Sequence, residues 1–229
     1  MTRAELKNRA KSQLRGNWGW AICLFLVGAI ITGVLTGINT AWGEAVADQG
    51  TDITNIFQVM FDKGAAAYNF LVGFITTMIG WGIAYTVLHF ADTGEKEQVF
   101  KGAFSGFTDG RLKNTFLTAL LEYIFITLWT CLLIIPGIVK GYSYAMAPYI
   151  MKDMFDAGHD MKATEAITES RKLMNGHKAE LFILDISFWG WDILGLITCG
   201  IGFIWITPYY RQTKANFYRQ LAGNKYLQK

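Results

Sequence analysis

Four charged residues stand inside long apolar runs: Glu122, Lys140, Asp185 and Asp192. A charge in hydrocarbon is costly and is kept where it pairs, lines a polar path or serves a ligand. These four are therefore the first candidates for chemistry. Asp185 and Asp192 are seven residues apart and share a helix face. At 1.5 Å per residue, Glu122 lies about 15 Å into its run from Leu112, and Asp185 and Asp192 lie about 10 and 21 Å in from Lys178. Lys140, counted from the opposite side, lies about one turn deep. These depths predict that Lys140 and Asp192 pair or share a polar network, and that Glu122 and Asp185 meet lower down. Two uses of the network stay open. In one, Lys140 and Asp192 lock two helical hairpins while the lower acids reach toward water or are protonated. In the other, the acids line a cation or proton path.

No catalytic pattern accompanies them. The chain has no GxSxG, no HExxH and no Walker loop. His89, His159 and His177 lack metal-ligand spacing and fall near helix ends or in loops, where polar contacts at headgroup level are expected. Cys23, Cys131 and Cys199 lie in apolar runs without a CxxC and read as small buried hydrophobes. The expectation is a non-enzymatic protein with no catalytic residues, no metal and no cofactor.

Composition says where such charges must be positioned. The 229 residues are 52% hydrophobic and 15% aromatic, and only 17% are charged, against roughly a quarter charged in an average soluble domain. A disordered chain needs the opposite balance. A net charge of +3 is too mild for a nucleic-acid partner. Apolar runs of membrane-spanning length predict an all-α membrane protein. It would be a single integral membrane domain over residues 1–229, a six-helix transmembrane bundle with short amphipathic interfacial helices. The spans are 18–38, 68–90, 112–135, 137–151, 179–198 and 200–218. Pro136-Gly137 separates the third from the fourth. The run 181–208 would be about 42 Å long as one helix, so Cys199-Gly200-Ile201-Gly202 is read as a turn between the last two.

Basic residues orient the bundle, because they collect on the cytoplasmic side. With both termini inside, nineteen of the 21 Lys and Arg fall there: the N-terminal Arg3 to Arg15 set; Lys96, Lys101, Arg111 and Lys113; Lys152 to Lys178; and a tail holding Arg211, Lys214, Arg219, Lys225 and Lys229. Lys63 and Lys140 are the exceptions. The outer loop is then acidic, with Glu44, Asp48, Asp52 and Asp62. A cleaved signal peptide ending near Ala45-Val46-Ala47 competes with a retained first helix, but its apolar run is long for that role.

Other segments belong to the interfaces. Thr2 and Glu5 form a capping box, and Leu6, Ala10 and Leu14 share a face ringed by bases, which predicts a helix lying on the inner leaflet. Val99, Phe100, Phe104 and Phe107 recur at helical spacing. So do Ile53, Ile56, Phe57, Met60 and Phe61 in the outer loop. A third inner-face helix is expected over 161–175, with Asp160 as its cap. Gly33-x3-Gly37 and Gly137-x3-Gly141 allow close helix approach; the first also admits a homodimer or another membrane partner. Trp18, Trp20 and Trp42 suit interfacial belts, while Trp81 and Trp189 read as core.

One combination goes further. It comprises Glu5-Leu6-Lys7, Ala10-Lys11, Leu14 and Gly16-Asn17-Trp18; then Ile135-Pro136-Gly137-Ile138-Val139-Lys140-Gly141-Tyr142-Ser143-Tyr144; then Ala147-Pro148-Tyr149, Ala166, Ser170, Leu173-Met174 and Gly176-His177-Lys178; and finally Pro208-Tyr209-Tyr210 with Ala215 and Phe217-Tyr218. Nearly the whole chain thereby resembles the bacterial membrane family called domain of unknown function 975. About residues 130 to 180 are also similar to the membrane domain of some glycerophosphodiester phosphodiesterases, whose catalytic parts are missing. The first resemblance implies six or so helices in a bacterial cytoplasmic (inner) membrane, mostly in Gram-positive hosts. It brings no established activity and no catalytic residues. An association of some relatives with bacteriocin genes adds immunity to the options. The leading expectation is an envelope-maintenance or interaction role, protection against membrane-active peptides included, with membrane lipids as partners. A small ion or solute transporter using the intramembrane acids is the alternative, and a lipid-binding or lipid-modifying protein is third.

Overall fold

A computed structural model describes residues 2–47, 63–107, 112–132, 134–159, 162 and 164–227. The described residues are helical throughout, without strands: α1 (Arg3–Leu14), α2 (Trp18–Ala47), α3 (Lys63–Thr93), α4 (Val99–Ala103) and a 3₁₀ turn (Ser105–Phe107) precede α5 (Leu112–Leu132), α6 (Ile134–Tyr144), α7 (Ala147–Asp156), α8 (Glu165–Leu173), α9 (Lys178–Ile197) and α10 (Phe203–Ala222). Two of them, Trp18–Gly37 within α2 and Ala67–Thr93 within α3, are long and apolar enough to cross a membrane. α2 runs on to Ala47 and takes in Glu44 of the expected outer loop; the rest of that loop's acids, Asp48, Asp52 and Asp62, and its Ile53–Phe61 pattern, together with Asp160 and Met161, lie outside the described residues.

The expected boundaries hold in one hairpin and shift in another. Cys199 and Gly200 take positive φ, 52° and 90°, so the chain reverses between α9 and α10 as expected. At the other hairpin, Pro136 does not end a helix. It sits in the first turn of α6, where a missing N–H costs nothing because that group has no intrahelical acceptor. The expected fourth span is two helices, with a break at Ala145–Met146. Ser170 on α8 repairs that break: its hydroxyl donates to the Ser143 carbonyl at 2.8 Å and accepts from the Met146 N–H at 3.2 Å.

Three segments expected at the membrane surface pack apolar residues against the bundle. The Thr2–Glu5 capping box forms, but Leu6, Ala10 and Leu14 are fully buried in the core. The apolar stripe of α1 covers α10, and Gln13 accepts from both Gln212 (2.9 Å) and Asn216 (2.8 Å) of that helix. Leu6, Ala10 and Leu14 of α1 and Ala21 and Leu24 of α2 thus belong to the core. The Val99–Phe107 segment is held on α3 by Ser105 donating to the Gly82 carbonyl and Thr86 donating to the Gly102 carbonyl. Backbones approach so closely there that a Cβ on Gly82 would lie 2.3 Å from the Ala103 oxygen. Phe100 alone of its aromatics stays largely exposed. On α8, Ala166 and Ile167 are buried.

α10 is the polar axis of the fold, and its last turn carries the principal ion network. The Arg219 guanidinium grips Asp92 at the end of α3 (2.9 and 2.6 Å) and Asp153 of α7 (2.9 and 3.0 Å), and also donates to the Gly223 carbonyl. Tyr218 donates to Asp153 at 2.6 Å while stacking on Tyr149.

Removing Arg219 would leave Asp153, 1% exposed, as an uncompensated buried charge. Arg219→Ala is expected to cost about 3–5 kcal/mol, and Arg219→Lys to recover only part of it, since an ammonium cannot make two forked contacts. Thermal unfolding in mild detergent reads both. A second prediction concerns acid. Hydrogen bonding from Lys172 holds the Glu169 carboxyl below its ordinary 4.5, against an opposing effect of burial and with help from Lys225. Its stabilisation is complete above pH 4.5 and fades as pH falls through the lower folded value. Glu169→Gln should therefore flatten the stability profile below pH 4.5 and lower the plateau above it.

Candidate functional site: two charged clefts beside α10

Thr207, Tyr210, Arg211 and Lys214 follow one another at helical spacing and form a polar stripe on α10. Two clefts meet at this stripe, and Arg211 lines both. The first, about 380 Å³, is bounded by Glu122 of α5 and by Arg211 and Lys214, with Trp81, Tyr149 and small residues between them. The second, about 450 Å³, holds Asp185 and Asp192 of α9 among Tyr142, Phe188, Trp189 and Tyr210.

The two clefts treat their acids differently. Asp185 accepts from the Tyr142 hydroxyl at 2.8 Å and from the Tyr210 hydroxyl at 2.9 Å, which ties α6 and α10 to α9. Glu122 is 8% exposed, and its Oε2 accepts no hydrogen bond among the described residues. The Trp81 indole lies against it, and the Lys214 charge faces both Glu122 and Asp185. No ion pair among the described residues joins Arg211 or Lys214 to an acid. The first cleft thus presents one buried acid, with one oxygen unmatched, beside two half-buried bases that form no ion pair among the described residues.

The expected Lys140–Asp192 pair does not form. Lys140 lies over the Trp129 ring, 4.7 Å from its centroid. The reason is helical phase: Tyr142 takes the α9-facing side of α6, and a residue two positions away points elsewhere. Glu122 and Asp185 do not touch either; they occupy neighbouring clefts on either side of Arg211. Asp185 and Asp192 do share a face and a cleft, as their spacing predicts. Arg211 and Lys214 were not legible as site residues because they read as cytoplasmic tail charges. The Thr207–Lys214 spacing was the signal that carries them.

The glycines divide as well. A Cβ at Gly137 would meet Thr130 at 2.6–3.1 Å, and one at Gly202 would meet Gly195 at 2.8 Å; these are close approaches. Gly200 supplies the positive φ of the turn. Among the described residues, a Cβ at Gly33, Gly37 or Gly141 would meet nothing within 4 Å. Cys23 and Cys199 are exposed rather than buried, and Trp189 is 60% exposed rather than core; Trp81 is buried. His177 meets Glu180 at 3.0 Å. Among the described residues, no group of three or more His, Cys, Asp or Glu could hold a metal ion.

The tyrosine clamp on Asp185 is testable. A hydrogen bond to a charged group contributes about 1.5–3 kcal/mol, so Tyr142→Phe and Tyr210→Phe should each lower unfolding stability by that order. Adding Asp185→Leu to the double variant should restore much of the loss, because no carboxylate is then left unsatisfied. A further drop on that addition would refute the clamp.

Comparison with known proteins returns neither a curated protein nor a solved structure that matches, and nothing in it supports the phosphodiesterase likeness over residues 130 to 180. The family models do match, over residues 1–140 and again over 131–225, and they match one description: the chain belongs to the family of proteins of unknown function DUF975.

Proposed function

We propose that this chain is a multi-pass protein of the bacterial cytoplasmic membrane that acts by binding inside the bilayer rather than by catalysis. One observation carries the reading: the helices turn large apolar side chains outward while keeping charge within. Ile30 and Val34 on α2, Leu71 on α3, Leu128 on α5, Ile135 and Ile138 on α6, and Ile193, Leu194, Leu196 and Ile197 on α9 are all exposed. Soluble monomers rarely expose apolar patches on this scale, whereas lipid tails accept them without penalty. The crossings are then α2, α3, α5, the broken α6–α7, α9 and α10, with both termini in the cytoplasm. The distribution of Lys and Arg supports that orientation.

The first cleft lies at depth in this arrangement: Glu122 is about 15 Å along α5, and Arg211 about 16 Å from the far end of α10, at 1.5 Å per residue. Its lining includes neither His nor Cys, and Thr77 donates to the Gly73 carbonyl of its own helix. That inventory offers no His- or Cys-based nucleophile, and the opposed charges of Glu122, Arg211 and Lys214 support recognition of a charged ligand. An envelope-maintenance role follows from a protein that holds a membrane component. The break between α6 and α7 beside the cleft favours one rival, a small transporter, since broken helices line transport sites.

Two measurements test the reading. In a cysteine-free background, single cysteines at positions 2 and 227 should react with an impermeant maleimide only after the cells are opened, and one within 48–62 should react in intact cells. Labelling of all three from the same side would overturn the topology. Proteoliposomes should show no proton or cation flux that Glu122→Gln abolishes; such a flux would replace binding with transport.

A further inference from the structure

We infer that the Glu122 cleft recognises a zwitterionic amphiphile bearing a primary ammonium and a phosphodiester, the chemistry of an aminophospholipid head group. The inference rests on the membrane-binding reading above and adds the ligand's identity to it.

The charges select the ligand class. Arg211 and Lys214 call for an anion, and a phosphodiester offers several acceptor oxygens to a guanidinium and an ammonium. An anion alone would also bring negative charge beside Glu122, which is buried with an oxygen unsatisfied. A cation alone would meet two bases. A molecule carrying both signs answers all three groups at once. Glu122 stands beyond ion-pair distance from Lys214 among the described contacts, so a spacer must separate the two charges of the ligand. A primary ammonium also donates hydrogen bonds, which the free Glu122 oxygen can accept and which a quaternary ammonium cannot supply.

The rest of the cleft argues for an attached acyl chain. Gly80, Gly141, Ala145 and Pro148 leave an apolar wall with little relief. Among the described residues, a Cβ at Gly80 or Gly141 would meet nothing within 4 Å, although glycine inside a helix is less stable than alanine. Ile138, on the same stripe of α6 one turn before Gly141, is 52% exposed. The wall therefore continues from the charged cleft to the outward apolar surface, the path an acyl chain would take from head group to bilayer. The volume of about 380 Å³ is within the range of small-ligand sites.

The full-length protein in mild detergent, titrated with phosphatidylethanolamine, phosphatidylglycerol or phosphatidylcholine of matched chains and read by native mass spectrometry, tests this directly. Phosphatidylethanolamine should bind at least tenfold more tightly than the other two. Glu122→Gln should remove that preference while leaving phosphatidylglycerol binding unchanged or stronger. Arg211→Met with Lys214→Met should weaken both. Gly141→Leu, which enters open space, should block lipid binding with unfolding unaltered. Equal binding of the three lipids, or selectivity surviving in Glu122→Gln, overturns the inference. Displacement of bound lipid by micromolar water-soluble phosphoethanolamine would overturn the amphiphile and leave a soluble zwitterion as the ligand. A protein that stays in the membrane after carbonate extraction yet shows no selectivity refutes the ligand alone; release by carbonate refutes the membrane reading beneath it.

Discussion

The fold depends on how the polar helix α10 is held. It runs through the protein carrying Gln212, Thr213 and Asn216, all fully buried; buried polar groups are mostly satisfied by partners, and here only the Asn216 Oδ1 lacks one among these three residues. Arg219 supplies the anchor. A guanidinium is the one side chain that can fork to two carboxylates at once, and here it joins the ends of α3 and α7 to α10. Gln13 does the same work for α1, accepting from two residues of α10 while donating to the Ala91 carbonyl. With α10 fixed in register at both its flank and its end, Tyr210, Arg211 and Lys214 have no freedom to choose another face.

The remaining elements are arranged to bring acids to that face. The close α5–α6 hairpin at Gly137 sets Glu122 and Tyr142 on opposite sides of Arg211. The break at Ala145–Met146 turns the chain into α7, so that Tyr149 and Asp153 reach α10. Such a break exposes backbone groups, and Ser170 satisfies two of them from a different helix. α8 is thereby a brace, and on its outer side Glu169 is bonded to Lys172 and Lys225.

Much of this was legible in the sequence, for stated physical reasons. Apolar runs and turn residues located the long helices, and the Cys199–Gly202 turn was placed correctly because only that segment could shorten an over-long run. The charges in apolar runs led to Glu122 and Asp185. The misreadings share one cause: an amphipathic stripe shows that a helix has an apolar partner without saying whether the partner is lipid or protein. α1 and the Val99–Phe107 segment bury their stripes against the bundle. Arg211 and Lys214 were counted by side of the membrane, a rule blind to a helix that carries its bases inward. Lys140 was matched to Asp192 by depth alone, and depth fixes height without fixing the angle around the axis.

The contrast among three acids, Asp153 and Glu122 buried and Asp185 half-buried, is what gives the Glu122 cleft its meaning. Asp153 has Arg219 and Tyr218, and Asp185 has two tyrosine hydroxyls. The same sequence that completed those two sets leaves Glu122 with an unmatched oxygen, while Arg211 and Lys214 of α10 form no ion pair among the described residues. A structural lock would bring these groups together, since each unpaired buried charge costs stability and pairing needs only side-chain reach. Trp81 and Tyr149 instead occupy the walls between them, and the glycines at positions 80 and 141 keep the space open. A fold able to satisfy buried carboxylates elsewhere has here preserved separated charges around a volume, which is the arrangement a ligand with its own two charges requires.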